Sequence, residues 1–495
     1  MVQQSDIDAL RVQQPSPGGL LIGGRSVPAK DSAVLDVISP IDGSRLTTIA
    51  EAGGVDVDEA VRAARSAYES GVWSRAAPTE RKKVLLRLAE MIEAQALELA
   101  VLGVRDNGTE FNMALKAEPG SAAGTFRYYA EAIDKIYGEI APTPAAVLGL
   151  VHREPVGVVA AIVPWNFPLM IGAWKLGAAL AAGNSVVLKP AEGASLALLR
   201  VAELAHEAGL PPGVLNVVTG RGAVTGEALA LHMDVDVISF TGSGGVGRRL
   251  LEYSARSNLK RVFLELGGKS PNIVFADAPD IDAAVRGSVN GMFRNSGQVC
   301  VAGTRLLVEE SIAEEFEEKL TAAADDLNVG DPLKLDSDVG AVASAEQLAK
   351  NLSFVDIAKA EGATLRTGGK QILERTGGYY MQPTVFTGVE PEMRIAQEEV
   401  FGPVLGVIPF PGADEATRIA NSTPYGLAAG VWTSNLATAH RMVRDVRSGV
   451  VHVNCYGGSD LTVPLGGMKQ SGSGHDKSLH ALDKFTNLKT AWIAL

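Results

Sequence analysis

Residues 156–266 alternate short apolar runs with amphipathic stretches, and no other feature of the chain narrows its fold so far. Residues 156–163 form a continuous apolar run, the pattern of a strand buried on both faces. Helical spacing follows at 169–182, then a strand at 185–188, a helix at 195–208 and a strand at 214–218. A short helix at 222–231, a strand at 235–241, a helix at 246–257 and a strand at 261–266 complete the series. Strands separated by helices in this way predict a parallel, doubly wound sheet that takes its ligands at the carboxyl ends of the strands. A second alternation, from 272–275 through 450–453, predicts a second α/β domain.

The flanking sequence is less regular. Residues 1–20 read as a loose arm, and 21–25 and 34–38 as short strands around turns. Apolar residues recur at helical spacing over 57–68 and 79–101, with Thr79 as N-cap and Glu80 in the first turn, and again over 126–136. Two prolines followed by alternating apolar residues mark 141–151 as an excursion from the domain it interrupts, and 484–493 reads as a terminal strand.

Bulk properties exclude several classes. A chain of 495 residues can bury two or three cores, and 46% hydrophobic with 21% charged residues is ordinary for a soluble enzyme. The net charge of -12 argues against a nucleic-acid partner. The two cysteines, Cys300 and Cys455, form neither metal-ligand spacing nor a disulfide framework, so no metal site and a reducing, cytoplasmic setting are expected. Residues 1–17 lack the apolar core of a signal peptide, and Gly183-Asn184 ends the apolar run at 178–182 too soon for a membrane span.

The chemistry lies in five short motifs. Cys300 follows a Gly-Gln loop in Phe293-Arg294-Asn295-Ser296-Gly297-Gln298-Val299-Cys300 and precedes a strand-like run, which can expose a thiol and still fix it in place, as a nucleophile requires. Its plainer reading is a small buried hydrophobe. Gly242-Ser243-Gly244-Gly245-Val246-Gly247 satisfies the G-x-G-x-x-G pattern between a strand and a helix, which read alone would make Glu265 a ribose-binding acid. Leu188-Lys189-Pro190-Ala191-Glu192 follows a strand, as a nucleotide-edge carboxylate should. Pro164-Trp165-Asn166-Phe167-Pro168 places a neutral amide donor after a buried strand, and Glu398-Glu399-Val400-Phe401-Gly402-Pro403-Val404 comes late in the chain.

Together with Glu265-Leu266-Gly267-Gly268-Lys269-Ser270-Pro271, and in this order, these motifs resemble those of the aldehyde dehydrogenase superfamily over nearly the whole chain. The resemblance implies an α/β fold of two doubly wound parallel-sheet domains plus a small bridging oligomerisation β-domain. It divides the chain into an NAD-binding domain (1–133 and 153–266), a catalytic domain (267–470) and an oligomerisation domain (134–152 and 478–495) that pairs subunits into dimers or tetramers. It implies NAD as cofactor and a two-step oxidation of an aldehyde. In that scheme Cys300 is the nucleophile, Asn166 and the Cys300 N–H stabilise the oxyanion, and Glu265 is the deacylation base rather than a ribose acid. Lys189 and Glu192 bind the adenosine ribose, and a carboxylate there disfavours NADP. Gly226 lets the adenine approach, Gly242 and Ser243 form the pyrophosphate turn, Glu399 and Phe401 serve the nicotinamide side, and Trp165 also contacts the cofactor. Gly244 and Gly245 replace two usually bulkier residues, which loosens the phosphate contact. Lys175 and Asp476 match a pair that relays protons, with Asp476 shorter than the usual glutamate and His475 in place of arginine.

The tail, Asp460-Leu461-Thr462-Val463-Pro464-Leu465-Gly466-Gly467-Met468-Lys469 on into Asp476-Lys477-Ser478, resembles the branch that oxidises γ-glutamyl-γ-aminobutyraldehyde and related ω-aminoaldehydes. Asp460 offers a carboxylate to a cationic tail, with Glu118 in support, unless it only caps a turn. Ser459 and Trp174 complete the expected substrate contacts. Arg294, where an aromatic residue is usual, would instead favour a carboxylate-bearing aldehyde such as succinate semialdehyde, and a γ-glutamyl group would satisfy both. The rival readings are a broad-specificity enzyme, a coenzyme-A-acylating enzyme, a glyceraldehyde-phosphate type preferring NADP, and a non-enzymatic relative.

Overall fold

The computed structural model describes residues 2–458 and 460–495. Its larger sheet has eight strands, in the spatial order Arg25–Val27, Leu20–Ile22, Leu215–Val217, Ser185–Lys189, Val158–Ile162, Val237–Thr241, Arg261–Glu265, Gly472–Ser473. The central five are parallel, and the pairings that extend the sheet at both edges are antiparallel. From Val158–Ile162 the chain steps outward through the next two strands, then returns to add Val237–Thr241 and Arg261–Glu265 on the other side. That reversal opens a crevice at the carboxyl ends of the two innermost strands. Every residue of Val158–Ile162 and Ser185–Lys189 is buried, which is why neither strand alternates in sequence.

Helix Pro168–Ala181 is buried on all faces except at Met170, so it shows no polar stripe. Glycines let its neighbours close in: a Cβ at Gly177 would lie 2.9 Å from the Tyr129 ring.

The second sheet has seven strands: Thr364–Thr367, Thr384–Thr387, Val404–Phe410, Arg305–Glu309, Pro271–Val274, Ala428–Trp432 and Val450–Val453. Only the edge strand Thr364–Thr367 is antiparallel. It builds its own core around Ile273, Leu307, Phe386 and Val404. Glu265 ends the last parallel strand of the first sheet, and Pro271 begins a central strand of the second. The carboxyl edge of one sheet therefore faces the amino edge of the other. A third, antiparallel sheet pairs Thr486–Ala494 with Val147–Pro155 and then Glu139–Ala141. Its strands leave Ile140, Leu488 and Trp492 exposed.

Some sequence expectations need correction. The arm at 1–20 holds a helix, Gln4–Arg11, anchored by buried Ile7 against Val101, Val104 and Leu333. The helix expected at 79–101 is two, Pro78–Ala94 and Ala96–Asn107, broken at Gln95. Thr79 is not its cap. Ala77 is the N-cap, with no side-chain bond, and Pro78 takes the first helical position, where a missing N–H costs nothing. None of the described helices is long and apolar enough to cross a membrane.

Candidate active site

The approach to Cys300 includes backbone that residues other than glycine rarely adopt. Asn295, Ser296 and Gly297 take φ of 49°, 52° and 70°. Two consecutive non-glycine residues in the left-handed region are strained and need support from outside the loop. Glu110 supplies it, accepting the Asn295 N–H on both carboxylate oxygens at 3.1 Å, while Thr109 Oγ1 donates to Asn295 Oδ1 at 2.8 Å. Fully buried Gln298 accepts the Ala343 N–H at 2.9 Å. Burial pushes Glu110 up to about 7 against the pull of the Asn295 N–H.

Cys300 then emerges, half-buried, on a cavity of about 230 Å³ walled by Asn166, Phe167, Trp174, Arg294, Leu465 and Lys477, among others. Asn166 follows Ile162 at the switch point of the first sheet and is 4% exposed. One N–H of its amide donates to Gln298 O at 2.8 Å, and the Asn166 carbonyl accepts from Asn295 Nδ2 at 3.0 Å. The bond to Gln298 uses one of two amide hydrogens, so the other can serve a ligand in the cavity. Burial pushes the Cys300 thiol up to about 12, with the carboxylates of Glu399 and Glu265 adding to the rise.

Glu265 sits at the end of its strand and is 7% exposed; its Oε1 has no hydrogen-bond partner among the described residues. Burial raises it well above the usual carboxylate range, Asp476 raises it further, and Lys484 and Lys175 hold it back. The double glycine after it permits two close approaches. A Cβ at Gly267 would lie 2.6 Å from Glu399 Cδ, and one at Gly268 would lie 2.6 Å from the Cys300 carbonyl oxygen. The Gly268 N–H donates to Glu399 Oε1 at 3.0 Å. Lys175 and Asp476 meet at 2.9 Å, both 1% exposed. Asp476 also accepts from Lys484 Nζ, a partner not anticipated from the sequence.

The residues expected to hold the cofactor form a second set. Phe401 and Trp165 stack edge to face with ring centres 5.3 Å apart. Phe401 takes a φ of 62°, steadied by Gln347 Nε2 donating to the Val400 and Phe401 carbonyls at 3.0 Å. Lys189 is buried and reaches Glu192 at 3.5 Å, leaving the Glu192 carboxylate half exposed at the strand end. A Cβ at Gly226 would sit 3.7 Å from Lys189 Cδ. Ser243 caps helix Gly244–Arg256, accepting the Val246 N–H at 3.4 Å, and no acidic side chain lies in its first turn. A Cβ at Gly245 would meet nothing within 4 Å, so its glycine leaves the helix terminus open rather than easing a clash. An open helix N-terminus, a carboxylate at a strand end and a carboxylate beside an aromatic pair suit the phosphates and hydroxyls of a dinucleotide.

The expected substrate contacts fare unevenly. Arg294 lines the cavity, packed against Gly457, and burial lowers its guanidinium. Trp174 lines it too. Asp460 does not. Its carboxylate is exposed and occupied by the Thr462 N–H at 2.8 Å and the Thr462 hydroxyl at 2.7 Å, so it caps a turn. Glu118 is buried away from the cavity, accepting the Met170 N–H at 2.6 Å as an outside cap for helix Pro168–Ala181. Ser459 lies outside the described residues. The sequence reading missed Lys477, whose ammonium lies 5.8 Å from the Trp174 ring and donates to the Asp460 carbonyl at 3.2 Å. Its only signal was its place beside Asp476. None of the described residues forms a cluster able to hold a metal ion.

Known proteins are similar to this chain over nearly its whole length. The sequence model of the Aldehyde dehydrogenase family matches residues 27–491. The chain is 49% identical to the NADP/NAD-dependent aldehyde dehydrogenase PuuC of Escherichia coli (strain K12) over 476 residues, 96% of this chain and 95% of that one. It superimposes on an indole-3-acetaldehyde dehydrogenase solved with NAD+ at a TM-score of 0.98 and 51% identity, each chain covered in full. The γ-glutamyl-γ-aminobutyraldehyde dehydrogenase of Burkholderia cenocepacia J2315 gives 0.97 and 49%, again with full coverage. Matched by the family model over most of its length and by relatives and solved structures at about half identity, this chain belongs to the aldehyde dehydrogenase family.

Proposed function

We propose that the chain oxidises an aldehyde to a carboxylate with NAD, on a division of labour like that of its domains: 1–133 and 153–266 for the cofactor, 267–470 for the cysteine, 134–152 and 478–495 for pairing subunits. The observation that carries this reading is that Cys300 opens on the same cavity as the Asn166 amide, with Glu265 in electrostatic reach of the thiol. Lys189, Glu192, Gly226, Gly242, Ser243, Trp165, Glu399 and Phe401 would hold the dinucleotide, whose nicotinamide accepts a hydride when bound. The Cys300 thiol gives its proton to solvent water, and Sγ attacks the aldehyde carbon. The second N–H of Asn166 and the Cys300 backbone N–H stabilise the oxyanion of the thiohemiacetal. Loss of hydride leaves a thioester on Sγ. Glu265 takes a proton from water, whose oxygen bonds to the thioester carbon as the C–S bond breaks and its electron pair returns to Sγ. Lys175 and Asp476, buried behind Glu265, give the proton a way onward.

The substrate follows from charge. Arg294 stands in the cavity wall, whereas the Asp460 carboxylate, outside the wall, offsets the charge of Lys477, and Glu118 also lies outside it. This favours a tail that carries a carboxylate, such as the γ-glutamyl group of γ-glutamyl-aminobutyraldehyde, over a bare ω-aminoaldehyde. Phe167, Trp174 and Met170 in the same wall favour a second reading, a broad-specificity enzyme for flat aromatic aldehydes. The deciding test has two parts. Glu265→Gln should give a burst of NADH followed by a stall, and unchanged turnover would remove Glu265 from its role. In the wild type, kcat/KM should be highest for γ-glutamyl-aminobutyraldehyde among that compound, 4-aminobutyraldehyde, succinate semialdehyde, indole-3-acetaldehyde and hexanal. Arg294→Leu should lower it for the carboxylate-bearing aldehydes alone. A lead for 4-aminobutyraldehyde or hexanal would refute the charge argument.

A further inference from the structure

Asp476 is held by two lysines. Lys175 Nζ reaches Oδ2 at 2.9 Å from helix Pro168–Ala181, and Lys484 Nζ reaches Oδ1 from the end of the short helix Leu479–Lys484. The side chains of Lys175, Asp476 and Lys484 are 1%, 1% and 3% exposed. Two cations and one anion leave a surplus positive charge away from water. A buried charge needs a counter-charge close by. The group that can provide it is Glu265, whose Oε1 has no hydrogen-bond partner among the described residues and whose charge interacts with all three. When Glu265 is ionised, the four groups sum to zero.

A pair of Lys175 and Asp476 alone would be neutral and would offer Glu265 no net attraction, because Asp476 repels the carboxylate as the lysine attracts it. Lys484 changes the sum. Of the two lysines, it opposes the burial of Glu265 more strongly. The other groups facing this cluster are Cys300, which feels Glu265, and Tyr129 and Lys477, which feel Asp476.

We propose that Lys484 is a positioning residue for the hydrolytic half of the reaction, supplying through Asp476 the surplus charge that keeps Glu265 a carboxylate ready to accept a proton from water. Once Glu265 has taken that proton, the cluster again carries an uncompensated positive charge, which drives the proton on to solvent and resets the base. The inference rests on Glu265 as the deacylation base.

The test is the pH profile of deacylation, read from steady-state turnover after the NADH burst. Lys484→Met should move the limb governed by the base to higher pH by about one unit, roughly a tenfold loss on its acid side. Lys484→Arg should keep the wild-type limb. Asp476→Asn leaves both lysines and should move the limb to lower pH. The double variant Lys484→Met with Asp476→Asn retains one uncompensated lysine, so its limb should return toward the wild-type position. Structural damage would add rather than cancel. An unmoved limb in Lys484→Met, or a double variant displaced by more than either single one, would overturn the proposal. If Lys484→Met does not fold, Lys484→Gln takes its place in the same comparison, and Asp476→Asn alone must still move the limb to lower pH. Should Glu265→Gln deacylate at the wild-type rate, the underlying reading fails instead. A stall in Glu265→Gln with unmoved limbs in the others refutes the role of Lys484 alone.

Discussion

Gly267→Ala tests how the two sheets share one cleft. The new Cβ would lie 2.6 Å from Glu399 Cδ and closer still to its Oε2, against an ordinary contact of 3.4 Å or more. The obstacle is the end of a flexible side chain, so the carboxylate swings away and the fold survives. What is lost is its hydrogen bond from the Gly268 N–H at 3.0 Å. A hydrogen bond to a charged acceptor contributes about 1.5–3 kcal/mol, which at about 1.4 kcal/mol per tenfold predicts a loss of roughly 10–150-fold in kcat/KM for NAD. Gly268→Ala is the contrasting change, because its Cβ would meet the Cys300 backbone carbonyl, which cannot swing. That substitution should cost about 1–3 kcal/mol of stability and reduce turnover of every aldehyde. The assays are NADH formation against NAD concentration at saturating aldehyde, calorimetric NAD binding, and thermal melting. Gly267→Ala with wild-type NAD affinity and a wild-type KM for NAD would refute the placement of Glu399 on the cofactor.

Cys300→Ser should abolish aldehyde oxidation while calorimetry still detects NAD binding, and Cys455→Ser, at an exposed position, should keep wild-type turnover. Glu192→Ser should narrow the preference for NAD over NADP, measured as the ratio of kcat/KM values, and a wild type that prefers NADP would contradict the ribose assignment. Glu110 sets a pH dependence of stability. Its folded value of about 7 exceeds the ordinary 4.5, so its contribution is fully present below 4.5 and is lost as pH rises through 7. The loss is up to about 3 kcal/mol, and Glu110→Gln should flatten the fall in melting temperature between pH 5 and 8.

The first sheet was legible because both of its faces are covered, so its strands read as unbroken apolar runs and its helices as the gaps between them. That Cys300 and Asn166 meet on one cavity was legible because each sits in a short motif beside a strand. Helix Gln4–Arg11 was not, since only Ile7 among its residues is buried and one apolar position makes no stripe. Asp460 misled because a carboxylate near a motif can face the cleft or cap its own turn, and nothing local decides between them. Lys484 was invisible for a related reason: it lies only eight residues from Asp476 and meets it through a short helix of tight pitch, whose turn nothing in the local spacing announces, and the buried core around them is assembled across the chain. Contacts of this kind leave no periodic trace in a single chain.

The left-handed run from Asn295 to Gly297 has a bearing on how this protein can change over generations. The conformation that presents Cys300 is not a preference of the loop but a condition imposed by Thr109, Glu110 and Gln298. None of the three needs to meet an aldehyde, yet the bonds they make predict that an altered residue at any of them shifts the loop that carries the thiol. They are therefore expected to be inherited as a set, each tolerating replacement only where the others are intact. Phe167, Trp174 and Met170 carry no such obligation. A mutagenic library intended to broaden the range of aldehydes should randomise that wall and leave the loop and its three supports untouched.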